Sequence, residues 1–185
     1  MIMRGLWLLA TGRPGGIKEF SASMEGLTAS LGPLIAFPLV GAAITAYQGQ
    51  PELAALAFLA RLCAVLAVPL LTFEAARLMR REALWMRTAT ALNWSFWMVV
   101  PLIFIAAVAG ALLVTAGLDQ TRAEYAAMGM ILGYLLWFQW FAIRSGLQIS
   151  RFKAALLVIV MCLAVAVLTA GPMMVGLITT PWAHI

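Results

Sequence analysis

The chain has 185 residues, 64% of them hydrophobic and 10% charged, with a formal net charge of +5. So few charged residues exclude a water-soluble domain, and the solvent for most of the chain is lipid. The positive charge does not point to nucleic acid, because the basic residues fall at the ends of apolar segments and not along an exposed face with aromatics between them.

The N-terminal stretch holds Arg4, Arg13 and Lys18 around a short apolar run, Leu6 to Ala10. That run is too brief for a secretory signal core and has no convincing cleavage site, so the stretch is expected to be retained. After the breaker Gly12-Arg-Pro-Gly-Gly16, the residues Ile17, Phe20, Met24 and Leu27 recur at helical spacing. They predict an amphipathic helix on the inner membrane face, either an interfacial anchor or a partner-docking surface. Residues 1–27 thus form a cytoplasmic amphipathic N-terminal segment, and 28–185 a transmembrane domain.

Five apolar segments follow, at about 28–47, 53–73, 91–117, 125–143 and 154–178, each near the roughly 20 residues a transmembrane helix needs. A β-barrel would alternate apolar and polar residues, and Ala106 to Val114 does not. The expected fold is an all-α, polytopic transmembrane helical bundle. Prolines 33, 38, 69, 101 and 172 favour bends, and Leu31 to Pro38 is dense enough to unwind the start of span one. Thr121, with Glu124 three residues later, suggests a cap for span four. Gly129 and Gly133 form a GxxxG pair and Ala106 with Gly110 a similar one, suited to close packing inside the protomer or to a dimer seam.

Ten of the twelve basic residues fall in three stretches: Arg4, Arg13 and Lys18; Arg77, Arg80, Arg81 and Arg87; Arg144, Arg151 and Lys153. These alternate with connections at 48–52 and 119–124 that hold only Arg122. Retention of Lys and Arg on the cytoplasmic side places the N-terminus inside and the C-terminus outside, in the periplasm of a bacterial cell whose inner membrane the chain crosses several times.

Arg61 is the cation that topology leaves over, nine positions after Glu52 and twelve before Phe73. Arginine near mid-bilayer costs roughly 2.5 kcal/mol or more, so it should face other helices or water. It either contacts an ion or substrate, or it is bonded to helix carbonyls and to Tyr134 or Thr115. Glu74, Asn93, Ser95, Gln139 and Arg144 fall near one level beside Trp94, Trp97, Trp137 and Trp140. They form an interfacial aromatic belt, or a cytoplasm-facing cavity if Glu74, Asn93, Gln139 and Arg144 converge. Cys63 and Cys162 fall within spans as small apolar side chains, and His184 has no Cys or acidic pair beside it. No catalytic, cofactor or metal site is expected.

The leader ending near Glu19-Phe20, the first-span run Pro33 to Phe37, and the span-four exit Tyr134 to Arg144 followed by Gly146 to Ser150 together resemble the bacterial members of the Yip1 superfamily. The resemblance implies a non-enzymatic five-span protein of membrane organisation or transport, and supplies no catalytic residues. Two further expectations stand beside it: a small accessory subunit of a larger membrane complex, and a small oligomeric transporter or channel. The expected partners are membrane lipids, with other membrane subunits or a homo-oligomer as further candidates.

Overall fold

A computed structural model describes residues 2–174 of the chain. In chain order they form α1 (Ile2–Ala10), a 3-10 segment (Pro14–Glu19), α2 (Met24–Tyr47), α3 (Pro51–Leu78), α4 (Glu82–Ser95), a 3-10 turn (Phe96–Met98), α5 (Val99–Thr115), α6 (Gln120–Leu147) and α7 (Arg151–Met174). Among the described residues there is no strand. Five units are long and apolar enough to cross a membrane: α2, α3, α4 with α5, α6 and α7. Helices suit this chain because hydrocarbon offers no partner to an open backbone group.

The helices run further than hydropathy suggests at their Arg-rich ends. α3 continues to Leu78 and α4 starts at Glu82, where the sequence pattern placed span limits at 73 and 91. Charged side chains end an apolar window but not a helix, since the interface hydrates them while the intrahelical bonds persist. The arginine-rich connection shrinks to a turn, with Arg80 in the left-handed region at φ 56°.

Local chemistry sets the ends. The Ser23 hydroxyl accepts from the Gly26 N–H at 3.1 Å and caps α2. Pro51 opens α3 at a position whose N–H would have no partner anyway. Asp119, and not Thr121, caps α6 by accepting from the Arg122 N–H at 3.1 Å.

The prolines act differently from expectation. Pro33 and Pro38 lie inside a continuous α2, so the start of span one does not unwind. Pro69 is likewise accommodated inside α3. Pro101, in the first turn of α5, cannot donate to the Trp97 carbonyl four residues back, and span three is interrupted by the 3-10 turn just there. The side chain of Pro172 and all of 175–185, with His184, lie outside the described residues.

The amphipathic helix expected through Ile17 and Leu27 is not one helix. Residues Pro14–Glu19 form a 3-10 segment, Phe20 is extended, and α2 begins at Met24. Ile17 and Phe20 are buried with Leu6 and Leu9 of α1 in the main core, which also holds Phe138, Ala142 and Leu147 of α6. Their periodicity reflects docking onto the bundle. Gly5 and Gly16 permit the close fit: a Cβ on Gly16 would stand 2.8 Å from the Gly5 carbonyl oxygen, and one on Gly5 would stand 2.7 Å from the Phe20 ring.

Burial is uneven along the spans. α2 buries Leu27, Ser30, Leu34 and Pro38, α6 buries chiefly Phe138 to Leu147, and α7 buries Ala154 to Met161. α4 is buried continuously from Thr88 to Asn93, while α5 buries only Ala106. The Arg-rich end is therefore a packed bundle in which α4 touches α2, α3 and α6. Towards the other end the chain divides into two arms, α3 packing between α2 and α7 in one, and α5 packing on α6 in the other. The small-residue seam of the second arm brings the Gly110 position to 3.7 Å from Ala127 Cβ. Gly129 and Gly133 meet nothing within 4 Å, so this GxxxG pair does not pack inside the protomer.

Candidate functional site

Where the two arms separate there is a cavity of about 500 Å3. α2 lines it with Leu34 and Phe37, α3 with Arg61, α4 with Asn93, α6 with Gln139 and α7 with Thr169. Arg61 lies about 15 Å along α3 from Pro51, near the middle of a hydrocarbon layer of about 30 Å. Its side chain is exposed, so the cavity is open to its surroundings on that side.

The fixed polar group is Asn93, 2% exposed. Its Nδ2 donates to Ser30 Oγ at 2.9 Å. The Ser30 hydroxyl donates in turn to the Leu27 carbonyl at 2.6 Å. Because the hydroxyl has one hydrogen, its commitment to Leu27 leaves it an acceptor for the amide and fixes which end of Asn93 faces α2. This pair ties α2 to α4 at the base of the cavity.

Arg61 is held differently. A Cβ on Gly41 would stand 2.9 Å from Arg61 Nη1, so α2 admits the guanidinium because position 41 has no side chain. The three ion pairs among the described residues are Arg4–Glu19 at 3.6 Å, Arg77–Glu74 at 3.2 Å and Arg122–Asp119 at 3.0 Å. None includes Arg61, which has no carboxylate within ion-pair distance among the described residues. Pro38 and Pro69 release the helical acceptors four residues back, the carbonyls of Leu34 and Val65, and both residues line the cavity. The site thus combines a cation, two primary amides, backbone acceptors and the hydroxyls of Ser95 and Thr169, which donate within their own helices, in an otherwise apolar wall.

Of the polar level expected from the sequence, Asn93, Ser95 and Gln139 converge, and they do so with Arg61. Glu74 pairs instead with Arg77 one turn along α3. Arg144 lies over the Trp140 ring, 5.6 Å from its centroid. Tyr134 donates to the Ala10 carbonyl at 2.9 Å and Thr115 to the Leu112 carbonyl at 2.8 Å, so neither is bonded to Arg61. The tryptophans divide too: Trp97 meets Phe37 at 6.0 Å by the cavity, Trp137 stacks on Phe141 at 5.5 Å, and Trp140 donates to the Arg151 carbonyl at 3.0 Å.

Sequence reasoning missed Ser30. Its signal was present in the spacing of Leu27, Ser30, Leu34 and Pro38, a helical stripe that places a hydroxyl on the buried face of α2. In comparison with known proteins, the chain matches no family model, no curated protein and no solved structure.

Proposed function

We propose that this multi-pass membrane protein is a non-enzymatic, Yip1-like protein of membrane organisation or transport, and that the cavity between its arms receives the polar end of a lipid-like molecule. The observation that carries the reading is the unpaired Arg61 opposite Asn93 and Gln139 in an apolar cavity of about 500 Å3 open to its surroundings. A cation at that depth is costly unless it meets an anion, a dipole or water, and an amphiphile brings such a group on an apolar tail. The volume is within the usual range for a ligand site. In this reading the Arg-rich end and the N-terminal segment face the cytoplasm from a bacterial inner membrane, as the basic stretches favour.

The test is a photoactivatable phospholipid in reconstituted vesicles, with the labelled peptides identified by mass spectrometry. Labelling of 34–38 and 64–68 that falls several-fold in Arg61→Gln is the expected result. Equal labelling of the variant, or label confined to helix faces away from the cavity, would remove the reading. Lipid scrambling in the same vesicles separates transport from organisation, since only transport requires faster exchange between leaflets.

A second reading, an oligomer or a subunit of a larger complex, draws on the open face at Gly129 and Gly133. Small residues there would let another helix approach closely. A monodisperse monomer in mild detergent would count against it.

A further inference from the structure

A smaller cavity, about 300 Å3, lies at the Arg-rich end between the N-terminal segment, the start of α4 and the end of α6. Its polar lining is Lys18, Arg87, Ser145 and Gln148, and no acidic residue belongs to the wall. Arg87 Nε is buried and has no hydrogen-bond partner among the described residues. A buried guanidinium donor left unpaired costs more than an ordinary lost hydrogen bond, so a site that keeps one is short of an acceptor. The nearest ion pair of this segment, Arg4 with Glu19, satisfies Glu19 from the α1 side.

We propose that this cavity binds a phosphate group, with Arg87 and Lys18 supplying charge and Ser145 and Gln148 supplying hydrogen bonds. The guanidinium fork matches phosphate oxygens, and lysine adds a compact cation. A volume of this size suits a headgroup more than a whole lipid. Arg77, Arg80, Arg81 and Arg151 stand at the same end of the bundle and raise the local concentration of anions. Lys18 comes from the N-terminal segment while Arg87 and Ser145 come from spans, so an occupant fastens that segment to the bundle.

The shared chemistry has two sources, an anionic lipid headgroup or a free phosphate. Full-length protein is placed in phosphatidylcholine nanodiscs, with and without phosphatidylglycerol, and separately with inorganic phosphate added to the pure phosphatidylcholine discs. Hydrogen exchange of residues 2–20 is the readout. Slower exchange with phosphatidylglycerol alone assigns the lipid; slower exchange with inorganic phosphate assigns the free anion; both support the site. The lipid or phosphate concentration for half-maximal protection should rise by about tenfold in Lys18→Gln, on the order of one charge-assisted bond. Arg151→Gln, at the same end but outside the cavity wall, removes only a screened long-range attraction and should raise it far less than Lys18→Gln does. Lys18→Gln keeps the test available if Arg87→Met fails to fold, because Lys18 is exposed. No protection by either probe, or equal loss in Lys18→Gln and Arg151→Gln, would overturn the assignment.

Discussion

Asn93 and Arg61 line one cavity but depend on it in opposite ways. Asn93 is satisfied by Ser30 inside the protein, so Asn93→Ala removes a buried inter-helix bond and should lower stability by about 0.5–1.5 kcal/mol. Denaturation in mild detergent measures this; no change would mean that the pair contributes nothing net. Arg61 has no such partner, and Arg61→Ala should leave the unfolding midpoint in detergent unchanged or raised while lipid labelling of the cavity falls. A marked loss of stability in Arg61→Ala would make the residue structural. At this scale the sequence was readable where a single residue violates its surroundings, as Arg61 does. It left Glu74 and Arg144 open between a belt and a cavity, and their local partners, Arg77 and Trp140, lie one turn away on the same helix and outcompete a distant site.

The helices show a different limit. Apolar length locates the five spans, because a bilayer imposes one thickness on all of them. It does not locate their ends, because helices such as α4 continue into the interface. Nor does it show which spacing reflects lipid and which reflects protein: Ile17 and Phe20 are covered by α1 and α6, elements far apart in sequence. The α4–α6 crossing supplies a test. A Cβ on Gly146 would clash with Thr88, meeting Oγ1, Cγ2 and Cβ, so the two helices approach only over a glycine. Gly146→Ala should cost about 1–3 kcal/mol, and Thr88→Ala, which removes two of the three clashing atoms, should recover part of it. Additive losses in the double variant would show that the contact is not shared. Tyr134→Phe removes the bond to the Ala10 carbonyl and should speed hydrogen exchange in α1 several-fold while the spans keep their protection.

For the whole molecule, each successive crossing changes sides, so the five spans put the connection at 79–81 on the side opposite those at 48–50 and 116–119. Single cysteines introduced at Gln50 and Leu118 should be labelled from one face of the membrane, and cysteines at Arg80 and Gln148 from the other. Labelling of Arg80 and Leu118 from the same face would break the five-span arrangement. The gathering of the basic stretches at one end of the bundle was legible from their alternation along the chain, since successive spans reverse direction. The division into two arms was not, because it depends on which helices α5 leaves uncovered, and every face of α5 is apolar in sequence. Lipid and protein are equally acceptable neighbours for such a helix.

The docking of the N-terminal segment has a consequence in time. Ala10 and its partner Tyr134 are separated by 124 residues. At about 5–20 residues per second, roughly 6–25 s of translation pass before the surface that receives Leu6, Leu9, Ile17 and Phe20 exists. A segment that leaves the ribosome ahead of all five spans is among the last to find its place, so its closure registers that the fourth span has been inserted. A nascent chain halted before α6 should therefore present that apolar face to lipid, chaperone or protease, and one halted after α6 has emerged should not.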